Sequence, residues 1–216
     1  MKFGFDLIGS NKKAFRYDMV FAKSNRVGHL NCNNQVMRSH ENILLFRRPH
    51  FSGAATYNPL KVPGGRPRVN RVKARLSGGV YPAGKDYTTF SDGTTHPISV
   101  LAFDSDTNLP EWCAHPTQKP EPLLGYLTML FSNIHDVLLD PFMGSGTCGS
   151  AALRLNRKFV GIEREHKYFD IACRRLEEAQ RRKERYKPRI DSPDDPSELE
   201  ASAEQLVPAI YDEQQI

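Results

Sequence analysis

VLLDPFMGSGTCGSAALRLNRKFVGIE, residues 137–163, runs in order through a short apolar stretch, a glycine-rich turn, a series of small residues, a second apolar stretch and a carboxylate. Two short apolar runs joined through a helix of small residues make one βαβ unit, the building block of an α/β fold with a parallel sheet. The turn Gly144-Ser145-Gly146-Thr147-Cys148-Gly149 fits G-x-G-x-x-G. Glu163 follows at a spacing of roughly 20 residues, from which an acid accepts hydrogen bonds from a ribose diol. The unit therefore predicts a site for a nucleoside cofactor.

The turn also bears on which cofactor. Dinucleotide sites place the first glycine directly after the strand, so that a pyrophosphate reaches the helix N-terminus. Here Asp140-Pro141-Phe142 intervenes, and a carboxylate at that point repels pyrophosphate. It suits a ligand with a cationic end and a ribose but no phosphate, which describes S-adenosylmethionine. A dinucleotide enzyme stays open as a remote alternative, although the chain beyond Glu163 is short and largely polar for the second half of such a fold.

The chain has 216 residues, 39% of them hydrophobic, enough for one sizeable core and an insertion. No apolar run approaches the roughly 20 residues of a membrane span. The start, MKFGFDLIGSNKK, lacks the apolar stretch of a signal peptide, which predicts a cytoplasmic protein. Cys32, Cys113, Cys148 and Cys173 form no C-x-x-C pair. That spacing supports neither zinc nor a disulfide framework, and the four read as reduced packing residues.

The net charge is +5, and residues 1–110 carry 16 Lys and Arg against 7 Asp and Glu. Arg47, Arg48, Lys61, Arg66, Arg68, Arg71, Lys73 and Arg75 fall in a run without a single acid, broken by Pro59, Pro63, Gly64, Gly65 and Pro67. The run reads as a long, irregular, basic insertion. With Tyr57, Tyr81 and Tyr87 in or beside it, contact with nucleic-acid phosphates is favoured over a merely solvated loop.

Tyr17–Ala22 and Asn42–Phe46 are apolar runs suited to buried strands. His115-Pro116-Thr117-Gln118-Lys119-Pro120 opens a helix whose apolar face is Leu123, Leu124, Leu127, Leu130 and Phe131, with Pro120 and Pro122 in its first turn. A last helix from about residue 167 to 185 buries Tyr168, Ile171, Ala172 and Leu176. From residue 188 the chain is acidic and poor in aromatics, which predicts a disordered tail.

Taken together, HPTQKP, DPFMGSGTCGSAA and VGIERE resemble the consecutive cofactor-side motifs of the amino-group DNA methyltransferases, N6-adenine or N4-cytosine, in the permuted order where the cofactor half follows the catalytic half. FRYDMVFAK, HENILLF and TYNPL resemble late segments of that family's catalytic half, and the likeness extends from about Phe3 to Ala179. The resemblance implies a Rossmann-like α/β methyltransferase fold, S-adenosylmethionine as cofactor, double-stranded DNA as partner and a restriction-modification setting. Asp140, Phe142, Gly144, Gly146 and Thr147 would line the methionine and ribose, and Glu163 would bind the ribose hydroxyls. Thr117 and Lys119 would meet the methionine carboxylate. His115, with no ligand-spaced partner, is read as structural.

The same resemblance divides the chain into a catalytic-half remnant (1–46), a target-recognition-like insertion (47–110), a cofactor half (111–187) and the tail (188–216). One departure stands out. The family's catalytic Asp/Asn/Ser-Pro-Pro-Tyr/Phe/Trp motif is absent, and the sequence contains no Pro-Pro dipeptide. An exocyclic amine is a poor nucleophile whose hydrogens need acceptors, while an aromatic ring stacks on the flipped base. No Pro-Cys nucleophile for C5 chemistry is present either. No catalytic residue is therefore assigned. The expectation is the C-terminal two-thirds of an adenine-N6 methyltransferase, its sheet incomplete on the N-terminal side, inactive alone, and associating with a complementary N-terminal fragment or with itself. N4-cytosine transfer and a non-catalytic DNA- or cofactor-binding remnant are the alternatives.

Overall fold

The computed structural model describes residues 2–48, 55–72, 86–104 and 118–185. Thr117, His115, Lys73, Cys113, Tyr81 and the tail from residue 188 lie outside them. The chain divides into two compact units, one running to Asn58 and resuming at Ser99, the other spanning Pro59–Ile98.

The first unit opens with helix α1 (Lys2–Ser10), followed by strand β1 (Phe15–Val27) and strand β2 (Arg38–Phe46). β1 and β2 pair antiparallel, with Phe21 opposite Glu41 and irregularities between Phe15 and Tyr17 and between Ala22 and Val27. The other edge of β1 takes a short parallel strand, β7 (Val100–Phe103), with Phe21 opposite Leu101. The expected insertion of residues 47–110 thus contains a sheet strand at its far end, and the compact second unit is narrower. Alternation explains β7: Leu101 and Phe103 turn into the core, while Val100 and Ala102 turn out.

Helix α2 (Glu121–Phe131) begins after Pro120, with Pro122 in its first turn, where the missing N–H costs no helical bond. Its burial is wider than one stripe. Leu123 and Leu130 are buried, whereas Leu124, Leu127 and Phe131 are half-buried, and Tyr126 and Met129 occupy the interior instead. The reason is that α2 is covered from two sides, by β7 and by the helix α3 (Thr147–Arg154). Tyr126 lies 5.8 Å from Phe103, ring to ring.

α3 crosses between two parallel strands, β8 (Val137–Asp140) and β9 (Lys158–Gly161), with Asp140 opposite Gly161. Helix α4 (His166–Arg185) then packs on α3, burying Ala172, Arg175 and Ala179. Tyr168, Ile171 and Leu176 are half-buried. α3 packs against the β8–β9 pair. Among the described residues this pair shares no hydrogen-bonded strand with the β2-β1-β7 sheet.

In the second unit, β3 (Val62–Pro63) pairs with β6 (Thr94–Thr95), and β4 (Arg68–Val72) with β5 (Tyr87–Ser91), both antiparallel. The stretch that reads as irregular therefore forms two short ribbons. No described helix is long and apolar enough to cross a membrane.

Candidate functional site

The carboxyl ends of β8 and β9 carry the two acids expected at the site, which is where ligands sit in α/β sheets. Asp140 ends β8, and its Oδ1 accepts the N–H of Phe142 at 3.0 Å, so the side chain shapes the turn that follows it. Among the described residues Asp140 makes no ion pair. Glu163, just past β9, accepts the N–H of Gly144 on Oε2 at 3.0 Å and that of Glu165 on Oε1 at 2.9 Å. This latch ties the glycine turn to the next strand, and the ladder continues it: Met143 N–H donates to the Ile162 carbonyl at 3.0 Å. Phe142 projects from the same turn, 87% exposed.

The glycines do distinct work. Gly146 caps α3 in the left-handed region, φ 76°, and a Cβ there would lie 2.9 Å from the Cβ of Ala172. Gly149 lets α3 approach its sheet, since a Cβ would come within 2.6 Å of the Phe159 ring and 2.5 Å of Leu176. Thr147 is buried, its Oγ1 accepting from Arg175 at 2.9 Å. Cys148 is the neighbour whose thiol is pushed up to about 11, by burial first and then by the charge of Asp140. A thiol so placed stays protonated near neutrality and is no nucleophile.

Lys119, the described remnant of the HPTQKP motif's charge, pairs with Glu41 Oε2 at 2.7 Å, while Lys23 meets Glu41 Oε1 at 2.9 Å. Burial pushes the Glu41 carboxyl up, but hydrogen bonds from Lys119 and Lys23 outweigh it and hold the group below its ordinary value. The geometry thus brings Asp140, Phe142, Gly144, Gly146, Thr147 and Glu163 around one turn. Lys119 is instead engaged with the β1–β2 hairpin.

Sequence reasoning passed over Gln118, Glu121 and Arg175, which meet beneath the turn. The available signal was positional: Arg175 occupies the same face of α4 as Ala172 and Ala179, and a charge on an apolar face implies buried partners. Among the described residues no three His, Cys, Asp or Glu side chains gather as a metal site requires.

In the second unit Arg66, Arg68 and Arg71 are exposed. Arg68 stands opposite Ser91 and Arg71 opposite Thr88, so the two arginines, at odd spacing on one strand, leave opposite faces of the β4–β5 ribbon. Val69, Tyr87 and Phe90 are exposed beside them, Phe90 by 81%. At the adjoining turn Asp92 accepts the N–H and hydroxyl of Thr94 and pairs with Lys61 at 3.2 Å.

Comparison with known proteins bears on the family and the fold. Over 65 residues, 30% of this chain and 18% of the relative, the sequence is 54% identical to the type II methyltransferase M.HinfI of Haemophilus influenzae. Over 63 residues, 29% of this chain and 24% of the relative, it is 52% identical to the type II methyltransferase M2.DpnII of Streptococcus pneumoniae. The crystal structure of the M1.HpyAVI–SAM complex superposes with a TM-score of 0.51 at 24% identity, covering 81% of this chain and 68% of that one. The cytosine-N4-specific PvuII DNA methyltransferase superposes at 0.52 with 13% identity, over 96% and 63%. The chain thus matches about two-thirds of the length of these solved structures and under a quarter of the two sequence relatives. The fold is that of the DNA methyltransferases, and with the DNA methylase family matching residues 3–174, the chain belongs to that family of amino-group methyltransferases.

Proposed function

We propose that this chain is the cofactor-binding and target-recognition portion of a DNA methyltransferase that moves a methyl group from S-adenosylmethionine to adenine N6 in double-stranded DNA. The observation that carries the reading is the pair of carboxylates at the ends of β8 and β9, set around a glycine turn by their own N–H partners. The donor set fits the cofactor. Asp140 offers an anion to the ammonium, Glu163 is a carboxylate, an acceptor of the kind ribose hydroxyls donate to, and Phe142 offers an apolar wall. Gly144, Gly146 and Thr147 bring backbone close to the methionine. Thr117 and Lys119 are assigned to the methionine carboxylate; for Lys119 this means exchanging the carboxylate of Glu41 for that of the ligand. When bound, the cofactor supplies an electrophilic methyl group on a sulfonium. The work of this chain is to orient it.

Target contact is assigned to Arg66, Arg68, Arg71 and Lys73, which neutralise phosphates. The ribbon carrying two of them has a form that the major groove admits, so an arginine on either face is also in reach of a guanine edge. N4-cytosine is the second reading, favoured by the fold shared with a cytosine-N4-specific enzyme.

The strand that polarises the target amine is assigned to a segment outside this sequence, since no Pro-Pro dipeptide occurs within it. What supports this is the bareness of the β8–β9 pair. Val137 and Leu139 are 62% and 63% exposed, Val160 and Ile162 are exposed beside them, and β8 has a strand on one edge alone among the described residues. Parallel strands are ordinarily covered on both faces. The test mixes the chain with a separately made N-terminal segment that bears Asp-Pro-Pro-Tyr, taken from a related DNA methyltransferase, using tritiated S-adenosylmethionine and duplex DNA. The chain alone is expected to bind cofactor without transfer, and the mixture to yield N6-methyladenine on nucleoside digestion. N4-methylcytosine would favour the second reading. Methylation by the 216-residue chain alone would overturn the placement of the catalytic strand.

A further inference from the structure

Arg175 on α4 is a buried cation that the cofactor reading leaves without a task. It is 5% exposed. Its Nη1 lies 3.0 Å from Ser145 Oγ, 3.1 Å from the Ser145 carbonyl oxygen, 2.9 Å from Thr147 Oγ1 and 3.1 Å from Gln118 Oε1. Nη2 is 3.6 Å from Glu121 Oε2, a carboxylate that also receives Arg154 at 2.7 Å. Ser145 Oγ in turn donates to Gln118 Oε1 at 2.9 Å. One guanidinium therefore joins the glycine turn, the start of α3, the segment leading into α2 and the first turn of α2. A charge persists at such burial only when it is paired and hydrogen-bonded, and here three of the five contacts go to Ser145 and Thr147.

The turn needs holding. Gly144 and Gly146 sit at φ 55° and 76°, and a glycine-rich segment has many competing conformations to give up. α4 supplies two kinds of restraint from one face. Ala172 lies directly against Gly146, as the 2.9 Å approach of an added Cβ shows, and Arg175, three residues on, grips the residues on either side.

We infer that Arg175 is a positioning residue that orders Gly144–Thr147 before the cofactor arrives, so that the Gly144 amide, Asp140 and Glu163 are already in place. A site ordered in advance binds more tightly because less freedom is lost on binding. The inference rests on reading this turn as the cofactor cradle, and its test separates the two.

The experiment compares the full chain with R175Q, R175K and T147V by amide hydrogen exchange and by titration with S-adenosylmethionine. In R175Q without cofactor, exchange within residues 144–148 should rise by about tenfold or more while β2 keeps its protection. Cofactor affinity should fall roughly tenfold, the scale of a hydrogen bond to a charged group. R175K should recover part of both, and T147V should shift the same amides less. Parent-like exchange and affinity in R175Q overturns the inference, and so does an equal loss of protection across β2, which would mean that Arg175 merely holds the fold. If R175Q does not fold, T147V decides, and unchanged exchange in the turn counts against. Should the parent chain fail to bind S-adenosylmethionine, the cofactor reading falls, while exchange confined to the turn in R175Q still upholds its ordering by Arg175.

Discussion

Asp140 and Glu163 hold loop amides and are assigned to ligand groups, so each substitution removes an anion from a place built around one. D140A and E163A should each weaken S-adenosylmethionine binding by about 1–3 kcal/mol, the usual cost of leaving charged or polar groups unpartnered. Calorimetric titration checks this, and unchanged affinity in both would remove the cofactor assignment. The neighbouring thiol gives an independent check on the same environment. With the Cys148 thiol pushed up to about 11 and half-buried, and Cys32 exposed, iodoacetamide at pH 8 should modify Cys32 first and leave Cys148 largely unmodified, because the thiolate is the reactive form. Peptide mass spectrometry reads the two rates, and equal labelling would mean that Cys148 is neither buried nor beside a negative charge.

The βαβ element is the part of the fold most open to reading from residues, because its strands, turn and helix are contiguous and each glycine answers a local need. G149A puts a methyl group within 2.6 Å of Phe159 and 2.5 Å of Leu176. It should lower stability by about 1–3 kcal/mol in urea titration, the range for overpacking a tight contact; a stable G149A chain would show that α3 has room to move away. Elements that depend on distant partners were harder to foresee. β7 is four residues whose strand character comes from β1, some 80 residues earlier, and the ribbons of the second unit exist through cross-strand pairing that no period announces. Arg175 was hidden for a like reason, its partners lying on two distant stretches of chain, 118–121 and 145–147. Glu41 ties the β1–β2 hairpin to the segment before α2, and its carboxyl is held below the ordinary 4.5. A lowered acid stabilises the fold above its unfolded value, and that contribution is lost as pH falls through the folded value. E41Q should therefore cost about 0.5–1 kcal/mol at pH 7, as expected for partly exposed pairs. The difference from the parent should shrink below pH 4.5 and vanish at lower pH; a difference independent of pH would mean that the ion pairs do not form.

Across the whole molecule the charge is concentrated where DNA contact is proposed. Neutralising Arg66, Arg68, Arg71 and Lys73 together should weaken binding to all duplexes alike and flatten the plot of log affinity against log salt by about one unit per lost contact. If the parent's slope survives, the basic stretch is a solvated surface; if sequence preference relaxes instead, one of the four reads a base. The chain leading into and out of this stretch is fastened within the first unit. Asn58 donates its backbone N–H to the Leu130 carbonyl at 2.8 Å and its side-chain amide to the Met129 and Ser132 carbonyls at 3.0 Å, while the Ser99 carbonyl receives Val20 N–H at 2.8 Å. All the partners in these bonds belong to the first unit. Under the proposed assignment of target contact to this stretch, residues 59–98 form a cassette in evolutionary terms: one exchange of DNA between Asn58 and Ser99 would replace the target preference and leave the proposed cofactor site as it was, so new specificities would arise by recombination rather than by slow substitution.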